Sequence, residues 1–241
     1  MKRHKTHLDG IGRVLLAGCL IALLGACAVN PPPLDWQMNA RSAAERAVEA
    51  YLSGNNRVES LEFERMRRET ARTGDATLMA RAELLRCATR VASLMFEPCD
   101  RFEALRPDAA LPERAYADYL GGRVTAQSIA LLPAQHQAPA SRLLPGRAGS
   151  DGDVAVLVGI ADPLARLVAA GVWLQAGQGH PAVMVVAVDT ASAQGWSRPL
   201  LAWLQVQARH AELGGDAAEV QRLRRRMELV LSAGAPVVIK P

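Results

Sequence analysis

The sequence predicts an all-α protein built from helix-turn-helix pairs, and three observations carry that prediction. Half of the residues are hydrophobic but only 4% are aromatic, with Ala, Leu, Val and Arg dominating, a balance that favours helix over strand. Apolar residues recur three and four positions apart between charged ones, which places them on one face of a helix. Glycines followed by capping residues, as in Gly74-Asp75-Ala76 and Gly215-Asp216-Ala217, punctuate these stretches.

After residues 1–26, which differ in character from the rest of the chain, the segment 27–38 contains Pro31-Pro32-Pro33 and reads as an extended tether, because proline lacks the N–H that a helix interior needs. The N-terminal helical region spans 39–100. Its first helix shows Ala43, Ala44, Ala47, Val48 and Tyr51 with Arg41, Glu45, Arg46 and Glu49 between them, and ends at Gly54-Asn55-Asn56. Glu59 to Thr73 is crowded with charge and has Leu61, Phe63 and Met66 as apolar anchors. Gly74 stops it, Asp75 caps the next element, and a long helix from Ala76 to about Leu94 buries Leu78, Leu84, Leu85, Ala88, Val91 and Ala92. Glu97-Pro98 halts that helix.

Residues 101–153 are irregular, with prolines at 107, 112, 133, 139 and 145 and glycines at 121, 122, 146 and 149. Short helices are expected at Pro112–Leu120 and Val124–Leu132, and Ala134–Asp153 reads as a long loop. The C-terminal region, 154–235, precedes a short tail, 236–241. Within it Pro163-Leu164-Ala165-Arg166-Leu167-Val168 and Pro199-Leu200-Leu201-Ala202-Trp203-Leu204 lie 36 residues apart, and Gly179 with Gly215 repeats the offset. This register implies two tandem units, each opened by a proline in the first helical turn, with second helices at Pro181–Gln194 and Asp216–Leu231. The valine-rich runs Val154–Ile160 and Ala182–Val188 also fit a βαβ unit, so α/β in the C-terminal third is the alternative.

The period near 36 resembles that of tetratricopeptide-type repeats. The turn glycine and the alanine-rich second helix agree with that family, while the Trp, Gly and Tyr of its first helix have no consistent counterpart. The resemblance implies a TPR-like α-solenoid; a helical bundle is the other all-α arrangement.

Lys2, Arg3, Lys5 and Arg13, then an apolar run from about Val14, then Leu24-Gly25-Ala26-Cys27, give the order of a secretory signal peptide. Its end resembles the lipobox of bacterial lipoproteins, which implies that Cys27 receives the lipid, palmitate included, and becomes the first residue of the mature chain. The apolar run is shorter than the roughly 20 residues that a transmembrane span needs. Ala28, where the family's inner-membrane retention signal is typically aspartate, implies sorting to the outer membrane, on its periplasmic side.

Four of the 28 Lys/Arg and one of the 24 acids, Asp9, fall in residues 1–26, leaving 24 cations against 23 anions, a net of +1. That near-balance removes the nucleic-acid reading that a pI of about 9.1 invites. With Cys19 cut away and Cys27 acylated, Cys87 and Cys99 remain as a pair in an oxidising compartment, where a disulfide is expected. Closing so short a loop is worth roughly 3 kcal/mol in the chain-entropy model.

No catalytic, cofactor or metal signature is found. His136, His180 and His210 lack second ligands at metal-site spacing, and neither HExxH nor GxSxG occurs. Gly177 and Gly179 come after a helix rather than a strand, which weakens a dinucleotide reading. Arg222, Arg224, Arg225 and Arg226 read as a solvated face, or as a contact for acidic headgroups or an acidic partner. Trp173, Trp196 and Trp203 read as core. The sequence therefore points to a lipid-anchored scaffold that binds an envelope protein. The rivals are a purely structural envelope lipoprotein and an envelope enzyme such as a peptidoglycan hydrolase, for which Glu113 or Asp162, acids at loop-to-helix junctions, are the candidates.

Overall fold

A computed structural model describes residues 34–145 and 152–233, and every regular element among them is helical. The segment read as a signal peptide, Cys27, the three prolines assigned to a tether and the tail lie outside the described residues. No helix among those described is long and apolar enough to cross a membrane.

In chain order the helices are α1 (Asp35–Leu52), α2 (Asn56–Ala71), α3 (Ala76–Ala92), α4 (Asp100–Glu103), α5 (Leu111–Leu120), α6 (Ala126–Ile129), α7 (Ala134–Ser141), α8 (Gly152–Val158), α9 (Pro163–Gln175), α10 (Pro181–Gln194), α11 (Ser197–Leu213) and α12 (Ala217–Ala233). Their ends are set by local chemistry. Asn55 Oδ1 accepts from Val58 N, Asp75 Oδ1 from Thr77 N and Leu78 N, Asp162 Oδ1 from Ala165 N, and Asp216 Oδ1 from Glu219 N. The Gly-Asp-Ala triplets act alike: Gly74 and Gly215 take φ of +65° and +74°, and the aspartate after each caps the next helix.

Several expectations need correction. Residues 35–38, assigned to the tether, already belong to α1, whose first turn places Asp35 where the helix dipole favours an anion. The long helix stops at Ala92, before Pro98, because Leu94 turns the chain with φ +60° and Met95 N donates back to Arg90 O at 2.9 Å. The expected Val124–Leu132 helix shrinks to the single turn Ala126–Ile129, opened by a reciprocal Thr125–Ser128 capping box. The stretch 134–153, read as a loop, carries α7 and the start of α8. Pro139 sits inside α7 because tertiary packing overrides propensity there: Ala140 and His136 are buried, and Trp173 Nε1 donates to the Pro139 carbonyl at 3.0 Å.

The α/β alternative is not what forms: Ala182–Val188 lies within α10, begun by Pro181 and ended by left-handed Gly195, and 154–158 lies within α8. In the first of the two tandem units the left-handed turn residue is Gly177, φ +76°, rather than Gly179. A Cβ at Gly179 would collide with Leu174 Cδ1.

The core runs from Leu52 through Leu84, Ala88 and Ala92 of α3 to Leu167, Val168 and Trp173 of α9 and Trp203 of α11. All three C-terminal tryptophans are buried, and their indole N–H groups donate to Pro139 O, Glu49 Oε2 and Ala92 O. In a linear repeat stack each unit touches only its sequence neighbours. Here α3 packs on α9, and the start of α11 returns to the end of α1, where Arg198 donates to Tyr51 O and Ser197 to Ser53 O. These long-range contacts close the helices into a bundle.

Candidate binding cleft

Because α5 folds against α3 and α7 against α9 instead of forming a featureless connector, α3, α5 and the turn into α7 wall a cleft of about 470 Å³. Arg81, Leu84 and Leu85 come from α3, Pro112, Glu113 and Tyr116 from the start of α5, and Leu131 to Pro133 with Gln135 and His136 from the turn into α7. Volume and lining match those of ligand-sized sites, mostly apolar with a few polar groups.

The polar groups are unequally placed. Glu113 is 5% exposed, held in the first turn of α5 behind Pro112. Its Oε1 accepts from Arg81 Nε at 2.6 Å, whereas its Oε2 is buried with no hydrogen-bond partner. The Arg81 side chain is 63% exposed. The acid is therefore buried, while its counter-ion lies mostly in water.

His136 is 2% exposed, and its Nδ1 also lacks a partner. Its ring lies 5.4 Å from that of Tyr116 and 5.1 Å from that of Tyr119. Burial lowers the His136 pKa to about 4, with the negative charge of Asp162 pulling the other way. Burial likewise pushes both tyrosine phenols above their ordinary range, helped by Asp162 at Tyr116 and by Tyr116 at Tyr119. The Tyr119 hydroxyl is a third buried group without a partner in this region.

The residues that the sequence put forward take different places in the structure. Of the two acids, Glu113 enters the cleft, while Asp162 caps α9 and acts on His136 only through its charge. His180 caps α10 through Nδ1, and His210 is exposed on α11. Arg222 pairs with Glu219 and Arg224 with Glu212 on an exposed face. Cys87 and Cys99 stand at disulfide distance, 6.0 Å between Cα atoms, joining α3 to the turn before α4. Among the described residues no group of three His, Cys, Asp or Glu side chains is arranged to hold a metal ion.

Sequence reasoning missed Arg81, Tyr116 and the burial of His136. Nothing local marks them: Arg81 is 32 residues from Glu113, and His136 lies in a stretch whose prolines suggest a loop. The chain matches no family model, no curated protein and no solved structure, so the meaning of the cleft rests on its own residues.

Proposed function

We propose that the protein is a lipoprotein anchored through Cys27 in the outer membrane, facing the periplasm, whose helical body binds another envelope protein in the cleft between α3, α5 and α7. Leu24-Gly25-Ala26-Cys27 and the adjoining Ala28 support the anchoring and sorting. The observation that carries the binding role is the cleft itself: apolar walls around one buried carboxylate whose hydrogen-bonding capacity is half used. Glycoside hydrolysis ordinarily requires two carboxyl groups flanking the bond to be cut. Among the described residues Glu113 is the one carboxylate lining this cleft, so the two-carboxylate arrangement is not formed there.

Site-specific photo-crosslinking in cells making the full-length chain tests the binding role. A benzoylphenylalanine at Leu131, a cleft residue 38% exposed, is expected to give one discrete adduct, and the same group at Leu61, 62% exposed on α2, none. Adducts from both positions, or from neither, contradict the reading. For the anchor, Cys27→Ser is expected to lose labelling by palmitate; label retained in the variant contradicts it.

A further inference from the structure

We infer that the cleft is built to take a lysine side chain of the partner, its ammonium replacing the Arg81 guanidinium on Glu113 while its aliphatic stem lies along Leu84, Leu131 and Leu132. This rests on the partner-binding reading and adds to it the chemistry of the group recognised.

Four observations lead there. Glu113 is nine-tenths buried, yet one of its carboxylate oxygens has no partner, and an acceptor left unmet in a buried site calls for a donor. The second unpartnered atom, Nδ1 of the cleft residue His136, belongs to a ring that burial keeps uncharged above about pH 4, and in the tautomer protonated at Nε2 it is a further acceptor. The present cation on Glu113 can be exchanged: Arg81 reaches it through Nε alone and lies mostly in water, so its head can move into solvent provided another cation takes its place on the buried acid. An arriving cation that displaces Arg81 keeps the buried charge compensated, whereas a neutral donor doing so leaves Glu113 unpaired. The walls are apolar, and lysine's four-carbon stem is suited to cover apolar surface while delivering three donors at its tip.

The test is calorimetric titration of the full lipidated chain in detergent micelles. The probes are acetyl-Leu-Lys-Leu-amide, the same peptide with Gln or Glu at the centre, and 1,5-diaminopentane. The lysine peptide is expected to bind at least tenfold tighter than the Gln and Glu peptides and tighter than the diamine. Glu113→Gln is expected to remove that preference. Arg81→Ala, a change at a mostly exposed residue, is expected to strengthen lysine-peptide binding several-fold, and it serves where Glu113→Gln does not fold. Preference for the Glu peptide, or loss of binding in Arg81→Ala, overturns the inference in favour of an anion site at Arg81. Equal binding of all three peptides overturns it in favour of apolar contact alone, and a diamine that binds as tightly as the lysine peptide overturns the assignment to a protein side chain. A Leu131 adduct with no lysine preference sinks this inference only. A lysine preference with no adduct in cells sinks the partner reading and leaves the cation site standing.

Discussion

Helix α3 faces two neighbours of opposite chemistry. Toward α2, its buried acids and bases are matched across the interface: Arg86 donates to Glu59 at 2.8 Å and lies 4.5 Å over the Phe63 ring, and Arg67 sits 2.6 Å from Glu83, which is 2% exposed. Toward α9, contact is apolar and close. Gly171 lies against the Val91 carbonyl, where any Cβ would collide, and Trp203 reaches past to the Ala92 carbonyl. The α5–α7 side differs from both: Arg67 Nε and Glu83 Oε1 on the α2 side also lack hydrogen bonds but face each other at 2.6 Å, whereas Glu113 Oε2 and His136 Nδ1, without hydrogen-bond partners, belong to residues that line a cleft. A region that meets its polar groups internally serves stability. The one that leaves them unmet beside a cavity is where we propose that a partner binds.

The largest expected effect lies on the apolar side. Trp203→Ala empties a fully buried site and strands the Ala92 carbonyl; a loss of about 4 kcal/mol is expected, lowering the melting temperature by roughly 8 to 16 °C. A loss below about 1 kcal/mol would show that α11 is not held to α3 by this packing.

Next comes the acid dependence at the cleft. His136 in the folded chain titrates at about 4, against an ordinary 6.5, because burial disfavours the imidazolium. As pH falls the unfolded chain takes up this proton first. The contribution is therefore complete above about 6.5 and is lost between 6.5 and about 4, amounting to about 3 kcal/mol. Glu83 works in the opposite sense: burial raises its pKa, so its contribution is present at low pH and is lost as pH rises through the region above 4.5. Denaturant titrations of wild type and His136→Phe isolate the first effect, since Glu83 is common to both. Parallel pH profiles would contradict it.

The smallest effect is expected on the charged side and takes the form of an asymmetry. Arg67 Nε and Glu83 Oε1 are close but lack hydrogen-bond geometry, so their attraction is through charge alone. Removing the base leaves a buried acid, and Arg67→Ala is expected to cost about 2 kcal/mol, below the usual range because the Arg67 side chain is 32% exposed. Replacing both, Arg67→Met with Glu83→Leu, is expected to return stability to within about 1 kcal/mol of wild type. A double variant as unstable as the single would show that the charges, not the packing, hold α2 to α3.

Much of the fold was legible because it is local. Periodicity marked α1 and α3, the 36-residue register marked α10 and α12, and Pro163, Pro181 and the Gly-Asp-Ala triplets marked helix ends, since propensity and capping act within one turn. The middle was not legible, because α7 exists by virtue of its tertiary setting, a buried His136 and Ala140 and a tryptophan bond to Pro139, against the local preference of its prolines. The cleft was legible only as Glu113, an acid at a helix start. Its meaning depends on Arg81 and His136, which reach it from distant positions through the packing of α5 and α7 on α3 and α9.

The most direct test of the claim that this cleft is the working surface is hydrogen exchange of the full-length chain, compared between isolated cell envelopes and purified protein in detergent. Slower exchange is expected in envelopes across residues 111–120 and 131–140, the walls of the cleft. Unchanged exchange there, with new protection confined to the arginine-bearing helix α12, would contradict the claim and transfer the interaction to the basic face.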